Sequence, residues 1–95
     1  NTVRSTIGPL MRVSPNPASN RMTIMLSPQA IGNSGSLRVY DIAGRLVSIL
    51  CDGDLPEVVS WPLKDGHGRR LSSGVYFLRL ETEQASDVLK MIIVD

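Results

Sequence analysis

The sequence is short of the residues on which disulfide scaffolds, nucleic-acid binding and membrane spans depend. It has 95 residues with one cysteine, Cys51, which cannot form an internal disulfide. Ten basic and nine acidic residues give a formal net charge of +1, so we predict no nucleic-acid partner. No apolar run approaches the roughly 18 residues that a membrane-spanning helix needs. These absences leave a small domain without cross-links.

The residues capable of chemistry do not form a recognisable set. His67 is the only histidine and lies in a glycine-rich loop, with no nucleophile that the sequence places beside it. Asp52, Asp54 and Asp65 adjoin glycines, a pattern typical of turns, and lack the spacing of a calcium loop. No two carboxylates are spaced for glycoside hydrolysis. We therefore predict no enzyme activity, no metal and no cofactor.

Turn residues, in contrast, recur roughly every 8–12 positions, which is typical of a β-sandwich or barrel. No segment keeps a 3.6-residue apolar period, so we predict no helix. The predicted strands cover residues 10–14, 21–26, 36–42, 45–50, 57–61, 74–80 and 87–94. Residues 52–54 are predicted to form a turn, and residues 62–73 a long loop. The fold class that follows is all-β, an Ig-like antiparallel β-sandwich of about seven strands.

Residues 1–9 are polar and irregular, and they predict a linker from an upstream domain, with the folded domain over residues 10–95. The sequence begins at Asn1 without methionine and shows no signal peptide. We interpret it as a piece of a longer protein.

Alternation in the last two predicted strands indicates an apolar outer face. We assume that Arg79 and Lys90 face water. Residues an odd number of positions from them on the same strand then face inward, and residues an even number of positions away share the outer surface. The inward set is Tyr76, Leu78, Leu80, Leu89, Met91 and Ile93; the outward set is Val75, Phe77, Ile92 and Val94, with Tyr40 beside them. Such a patch usually marks a contact surface. The alternatives are packing on an upstream domain, or a bent sheet with a smaller face.

Five short motifs follow one another along the chain, and none is specific by itself. They are Pro15-Asn16-Pro17; Tyr40-Asp41 with Gly44-Arg45; Trp61 before the loop of Gly66 and Gly68; Ser73-Gly74-Val75-Tyr76; and Lys90 to Val94. In this order, over residues 10–95, they resemble the C-terminal sorting domain of the type IX (Por) secretion system in its type A form. Pro62 departs from that family, which more often has an aspartate there.

The resemblance implies a non-catalytic secretion signal. Such a domain directs an attached upstream cargo domain through the outer-membrane type IX translocon, and a sortase-like peptidase removes it, here between Val3 and Leu10. The implied location is the periplasm in transit, then the cell surface or the medium, with outer-membrane association. The residues predicted for translocon recognition are Val75, Phe77, Lys90, Met91, Ile92, Ile93, Val94 and Asp95.

We expect the last strand to have an unpaired edge, open to docking, strand addition or a homodimer through edge strands. Two other functions stay open. A structural Ig-like module, related to the flagellar hook-cap protein or to an adhesin, shares the tryptophan-to-tyrosine portion of the pattern. An accessory carbohydrate-binding sandwich would need exposed aromatic residues, whereas we favour Trp61 as a core residue.

Overall fold

The computed structural model describes residues 9–95, which form two antiparallel sheets and no helix. The predicted linker, except Pro9, lies outside the described residues, as does most of the predicted processing segment. Within residues 9–95, nothing is helical and apolar over the length that a bilayer crossing requires. The strands are β1 (Met11–Ser14), β2 (Met22–Leu26), β3 (Ser34–Asp41), β4 (Leu46–Asp54), β5 (Val58–Trp61), β6 (Gly74–Thr82) and β7 (Ser86–Ile93). The predicted all-β sandwich of seven strands is confirmed.

The two sheets differ in size and in strand order. The small sheet has the order β1-β2-β5, and the large sheet has the order β4-β3-β6-β7. Every neighbouring pair is antiparallel. β3 and β6 are therefore the central strands of the large sheet, while β4 and β7 form its edges.

The core lies between the sheets because alternate side chains of each strand point inward. Leu37 and Val39 of β3 are fully buried, as are Leu78 and Leu80 of β6. The inward orientation predicted for the last two strands is confirmed, since Tyr76, Met91 and Ile93 are buried and Leu89 packs against the core. Arg79 and Lys90 are exposed, as predicted.

The turn predicted at residues 52–54 is wrong. These residues continue β4, where they pair with residues 34–36 at the start of β3. Gly53 lies opposite Gly35, and a Cβ at Gly35 would collide with the carbonyl oxygen of Glu81 on the other neighbouring strand. Close approach of two backbones therefore requires glycine at position 35, whereas Gly53 has a φ of 127°, a conformation that glycine adopts without strain. The chain turns later, around the buried Leu55.

Candidate docking surface

The outer face of the large sheet brings four of the eight predicted recognition residues together, Val75, Phe77, Lys90 and Ile92. Tyr40 of β3 lies opposite Phe77 of β6, which lies opposite Lys90 of β7. Val75 and Ile92 form the next cross-strand pair on this face. We call this surface the docking face: the outward side chains of β3, β4, β6 and β7.

Two members of the predicted recognition set point the other way. Met91 and Ile93 are 0% and 1% exposed, so they hold β7 in the core and present no side chain to a partner. Val94 and Asp95 follow β7 and are exposed. The accessible part of the predicted set is therefore Val75, Phe77, Lys90, Ile92, Val94 and Asp95.

The docking face is wider than the sequence indicated, because β4 contributes to it. Leu46 lies opposite Tyr40 and Ile49 lies opposite Arg38, and both apolar side chains are half exposed. They are three positions apart, so strict alternation would place them on opposite faces. The register of β3 and β4 shifts twice, and the shift between Val39 and Tyr40, which lies within this stretch, returns both side chains to one face. Those bulges left no signal in the sequence pattern.

A shallow depression of about 280 Å³ lies in the docking face beside the turn that joins β3 and β4. Its apolar lining comes from Tyr40, Ile42, Phe77 and Val88, and its charged lining residues are Asp41 and Arg79. Ile42 and Val88 are largely exposed, and sequence reasoning did not assign either of them to a site. A concave, mainly apolar site with a few polar groups can hold an apolar side chain of a partner.

The edge of β7 is covered over its second half, so the predicted unpaired edge is wrong there. The Asn16 side chain accepts a hydrogen bond from the Ile92 N–H (2.9 Å) and donates one to the Lys90 carbonyl (3.0 Å). The Ala18 N–H donates to the Ile92 carbonyl, and the Ala18 carbonyl accepts from the Val94 N–H, both at 2.9 Å. We call residues 15–18 the clasp.

The clasp explains the Pro-Asn-Pro motif, which the sequence indicated only as the end of a strand. Asn16 substitutes for the backbone of a neighbouring strand, since its amide supplies one acceptor and one donor. Ala18 is 1% exposed and anchors the clasp in the core. While the clasp is closed, an incoming strand cannot pair with residues 90–94. A homodimer through this part of the edge would require the clasp to open.

The motif around Tyr40 and Asp41 closes the hairpin between β3 and β4. One oxygen of Asp41, Oδ1, accepts from the backbone N–H groups of Ala43 and Arg45, both at 2.9 Å. The other oxygen accepts from the Arg45 Nε at 3.0 Å. Gly44 has a φ of 85°, a conformation that glycine adopts without strain. These motif residues therefore build a turn.

A second turn of the same design precedes β6, where the sequence predicted a long loop with a turn-forming Asp65 but not this shared design. The Oδ1 atom of Asp65 accepts from the backbone N–H groups of His67 (2.8 Å) and Arg69 (2.9 Å), and Gly68 has a φ of 80°. Both turns read Asp-x-x-Gly-Arg, at residues 41–45 and 65–69. That repeated spacing was the signal that could have revealed the second turn. The two turns lie at one end of the sandwich, where the Gly66 N–H donates to the Val47 carbonyl (3.0 Å).

Acidification should weaken the fold through these two turns. Hydrogen bonds from the backbone of Arg45 and Arg69 lower the pKa values of Asp41 and Asp65, respectively, below the ordinary value. A depressed pKa in the folded state stabilises the fold above the unfolded-state pKa, near 3.9, and this contribution is lost as the pH falls through the folded-state value. Urea unfolding at pH 7 and pH 2.5 should show the loss.

The same titration in a variant carrying Asp41→Asn and Asp65→Asn should show a smaller loss, because asparagine keeps the acceptor oxygen but does not titrate. Asp54→Asn, at an exposed position outside both turns, is the matched control. An equal acid sensitivity in the double variant and the control would contradict the assignment.

The remaining motif residues contribute to the core. Trp61 is 2% exposed and donates from Nε1 to the Lys64 carbonyl at 3.1 Å. Tyr76 is also buried and donates from its hydroxyl to the Ser72 carbonyl at 2.8 Å. Gly74 begins β6 with a φ of 154°. Trp61 is therefore a core residue, as we favoured, and does not offer a flat exposed platform for a sugar ring.

The described residues contain no group of three or more histidine, cysteine, aspartate or glutamate side chains arranged to hold a metal ion. Burial raises the pKa of the Cys51 thiol, and this favours the unreactive protonated form. Within residues 9–95, the docking face is therefore the candidate functional site.

Comparison with known proteins identifies a family and a shared fold. The family model described as "Secretion system C-terminal sorting domain" matches residues 12–60. No curated protein sequence matches the chain.

Two solved structures have a similar fold. One is PorZ, described as an essential bacterial surface component of the type-IX secretion system of Porphyromonas gingivalis. The two structures superpose with a TM-score of 0.69 at 23% sequence identity, and the match covers 90% of this chain and 11% of that chain. The other is dimeric latent PorU from the same organism: TM-score 0.67, 24% identity, covering 88% of this chain and 9% of that chain. This chain thus spans about a tenth of either protein, and the likeness is one of fold.

Proposed function

Because this chain belongs to the family of secretion system C-terminal sorting domains, we propose that it directs an attached upstream cargo protein through the type IX outer-membrane translocon. The family match confirms the resemblance drawn from the sequence motifs. In this proposal the domain catalyses no reaction and passes through the periplasm. A sortase-like peptidase then separates it from the cargo within residues 3–10.

The observation that carries the proposal is the docking face. Val75, Phe77 and Ile92 are partly exposed apolar side chains on one side of a β-sheet, and Lys90 and Arg79 stand among them. Monomeric proteins rarely expose a contiguous apolar patch without using it for contact. We assign recognition to this face together with Val94 and Asp95, which continue it past β7.

Deleting residues 90–95 is not a clean test of recognition. The deletion removes Met91 and Ile93 from the core and takes away the backbone groups that the clasp binds. Loss of export would then follow from unfolding as well as from loss of an address. Substitutions of outward side chains separate these two causes.

We expect the double variant Phe77→Lys, Ile92→Lys to fold but to lose export. Both side chains point away from the core, while two added charges oppose the burial of this face against a partner. Export should fall by roughly tenfold or more, the factor that accompanies a loss of about 1.4 kcal/mol in binding free energy. The measurement is surface and medium fluorescence of a reporter carrying a signal peptide and residues 1–95, in a host with an intact type IX system and in its translocon mutant.

The matched control is Met25→Lys, Val58→Lys, which places two charges at exposed positions of the small sheet. Circular dichroism and urea unfolding of the purified domains show whether each variant is folded. Normal export of a folded Phe77→Lys, Ile92→Lys protein would refute the assignment of recognition to this face. In the same strains, mass analysis of the exported reporter checks for cleavage within residues 3–10, and a reporter still ending at Asp95 argues against it.

A further inference from the structure

Most of the acidic residues gather at one end of the sandwich. Leu10 lies at this end, where its N–H donates to the carboxylate of Asp87 (3.1 Å). We call it the entry end; β1, β3, β5 and β7 begin there, and β2, β4 and β6 finish there. The basic residues on this half are Arg12 and Arg38. Six of the nine acidic residues lie in or beside it: Asp52, Asp54, Glu57, Glu81, Glu83 and Asp87.

Most of the basic residues gather at the opposite end, which we call the far end. It consists of the clasp with residues 19–21, the hairpin turn at residues 41–45, the loop at residues 62–73, and the last residues from position 90 onward. The acidic residues there are Asp41, Asp65 and Asp95. Twice as many basic residues lie there, all of them exposed: Arg21, Arg45, Lys64, Arg69, Arg70 and Lys90. The formal net charge of +1 is therefore an average over two ends of opposite sign.

Three of the basic residues form a cluster without a carboxylate partner. Within residues 9–95, the ion pairs of the far end engage only Arg45 and Arg69. Arg21 and Arg70 donate to neutral oxygen atoms, one on β5 and one just before Arg21. Lys64 lies opposite Arg70 in an isolated bridge. These three like charges remain uncompensated until an anion approaches.

An apolar side chain projects from the same end. Ile42 lies in the turn between β3 and β4 and is 75% exposed, the largest fraction among the exposed large apolar side chains of residues 9–95. Arg45, in the same turn, is exposed as well. An apolar side chain beside long basic ones fits the boundary of a bilayer, because the apolar group enters the acyl region while the cations reach the headgroups.

We infer that the far end binds reversibly to the surface of an anionic lipid bilayer. The negative potential of such a surface favours binding by about fivefold for each lysine or arginine close to it. The cations stand on separate segments, at positions 21, 64–70 and 90, and this spacing matches many headgroups better than one phosphate ion. The same surface repels the entry end, so the domain orients with Pro9 away from the lipid. The inference does not depend on the proposed function, because binding is measured on the purified chain.

Co-sedimentation of residues 1–95 with lipid vesicles tests this inference. We expect binding to vesicles of equal parts phosphatidylglycerol and phosphatidylcholine, and no binding to phosphatidylcholine alone. Raising the salt from about 0.01 M to about 0.1 M shortens the screening length from about 30 Å to about 10 Å and should lower binding several-fold. Absence of binding to the anionic vesicles at the lower salt concentration would overturn the inference.

A triple variant tests whether the far end is the part that binds. Arg21→Gln, Lys64→Gln, Arg70→Gln should lower the partition coefficient at least about tenfold. The matched control is Arg12→Gln, Gln29→Glu, Gln84→Glu, which changes the net charge by the same amount at exposed positions of the entry end. It should bind nearly as well as the unmodified chain. Equal losses in both folded variants, as judged by circular dichroism, would show that net charge governs binding and would overturn the inference.

Two further measurements distinguish a bilayer from a soluble anion. Ile42→Ser keeps every charge and should lower the partition coefficient about threefold or more, whereas Val58→Ser, at a half-exposed position of the small sheet, should leave it unchanged. Inorganic phosphate that replaces chloride at constant ionic strength should not release the protein from the vesicles. Release by phosphate, or equal partition of the two serine variants, would contradict a lipid surface as the ligand.

Discussion

Replacement of Trp61 by alanine is expected to lower the free energy of unfolding by about 3–5 kcal/mol. Trp61 ends β5 with only 2% of its surface exposed, and its indole N–H is bonded to the Lys64 carbonyl. The substitution removes a large apolar side chain and leaves a cavity that the surrounding side chains fill only in part. Domains of this size unfold with about 5–15 kcal/mol in total, so the loss is a large fraction of the stability.

Urea denaturation followed by circular dichroism measures this loss. Val58→Ala is the matched control on the same strand, since Val58 is half exposed and should change stability by no more than about 0.5 kcal/mol. Trp61→Phe should fall between the two, because it keeps a ring but loses the hydrogen bond. A Trp61→Ala domain that unfolds like the control would contradict the core assignment and return the sugar-platform alternative to consideration.

Replacement of Asn16 by alanine is expected to open the edge of β7. The substitution removes two hydrogen bonds, one to Ile92 and one to Lys90, each worth about 0.5–1.5 kcal/mol. We expect a loss of about 1–2 kcal/mol in unfolding free energy, towards the lower end of the sum because Asn16 is exposed and water can replace its amide. The freed backbone groups then offer a template for another strand.

Amide hydrogen exchange provides the residue-level measurement for this prediction. Exchange of the Ile92 N–H should accelerate in Asn16→Ala, and sedimentation should reveal association at high concentration. Asn16→Asp should accelerate exchange less, because an aspartate still accepts from Ile92 but cannot donate to Lys90. Asn20→Ala, at an exposed asparagine outside the clasp, is the control. Unchanged exchange at Ile92 in a monomeric Asn16→Ala protein would show that the clasp does not depend on this side chain.

Much of the fold could be predicted because the strands obey a simple periodicity. Leu37 and Val39 alternate with Arg38 and Tyr40, and burial follows that alternation. The last two strands behave in the same way, so alternation correctly predicts the core residues of β6 and the outward position of Phe77. Short-range pattern is informative here because each of these strands is regular along its length.

Sequence reasoning failed where the backbone departs from regularity or where distant segments meet. One bulge in β4, between Leu46 and Ile49, brings these two side chains to one face, and no local feature of residues 46–50 indicates it. Asp52-Gly53-Asp54 has the composition of a turn, yet it lies in the paired part of β4, where Gly53 has a φ of 127°, a conformation that favours glycine. The clasp joins Asn16 to Lys90 and Ile92, which lie 74 and 76 positions further along the chain. The periodicity of a single sequence carries no information over that separation.

The clasp also makes the last step of folding depend on contacts between the two ends of the chain. Besides the bonds of Asn16, the Leu10 N–H donates to the carboxylate of Asp87, 77 positions further along the chain. Contacts between the two ends of a chain raise its contact order, and β-proteins dominated by such pairings fold in milliseconds to seconds. Because β7 is one of the two neighbours of β6 and supplies the partners of the clasp, we expect the complete docking face only in chains that extend through residue 94. A receptor that recognises this face is therefore expected not to bind chains that end before residue 94.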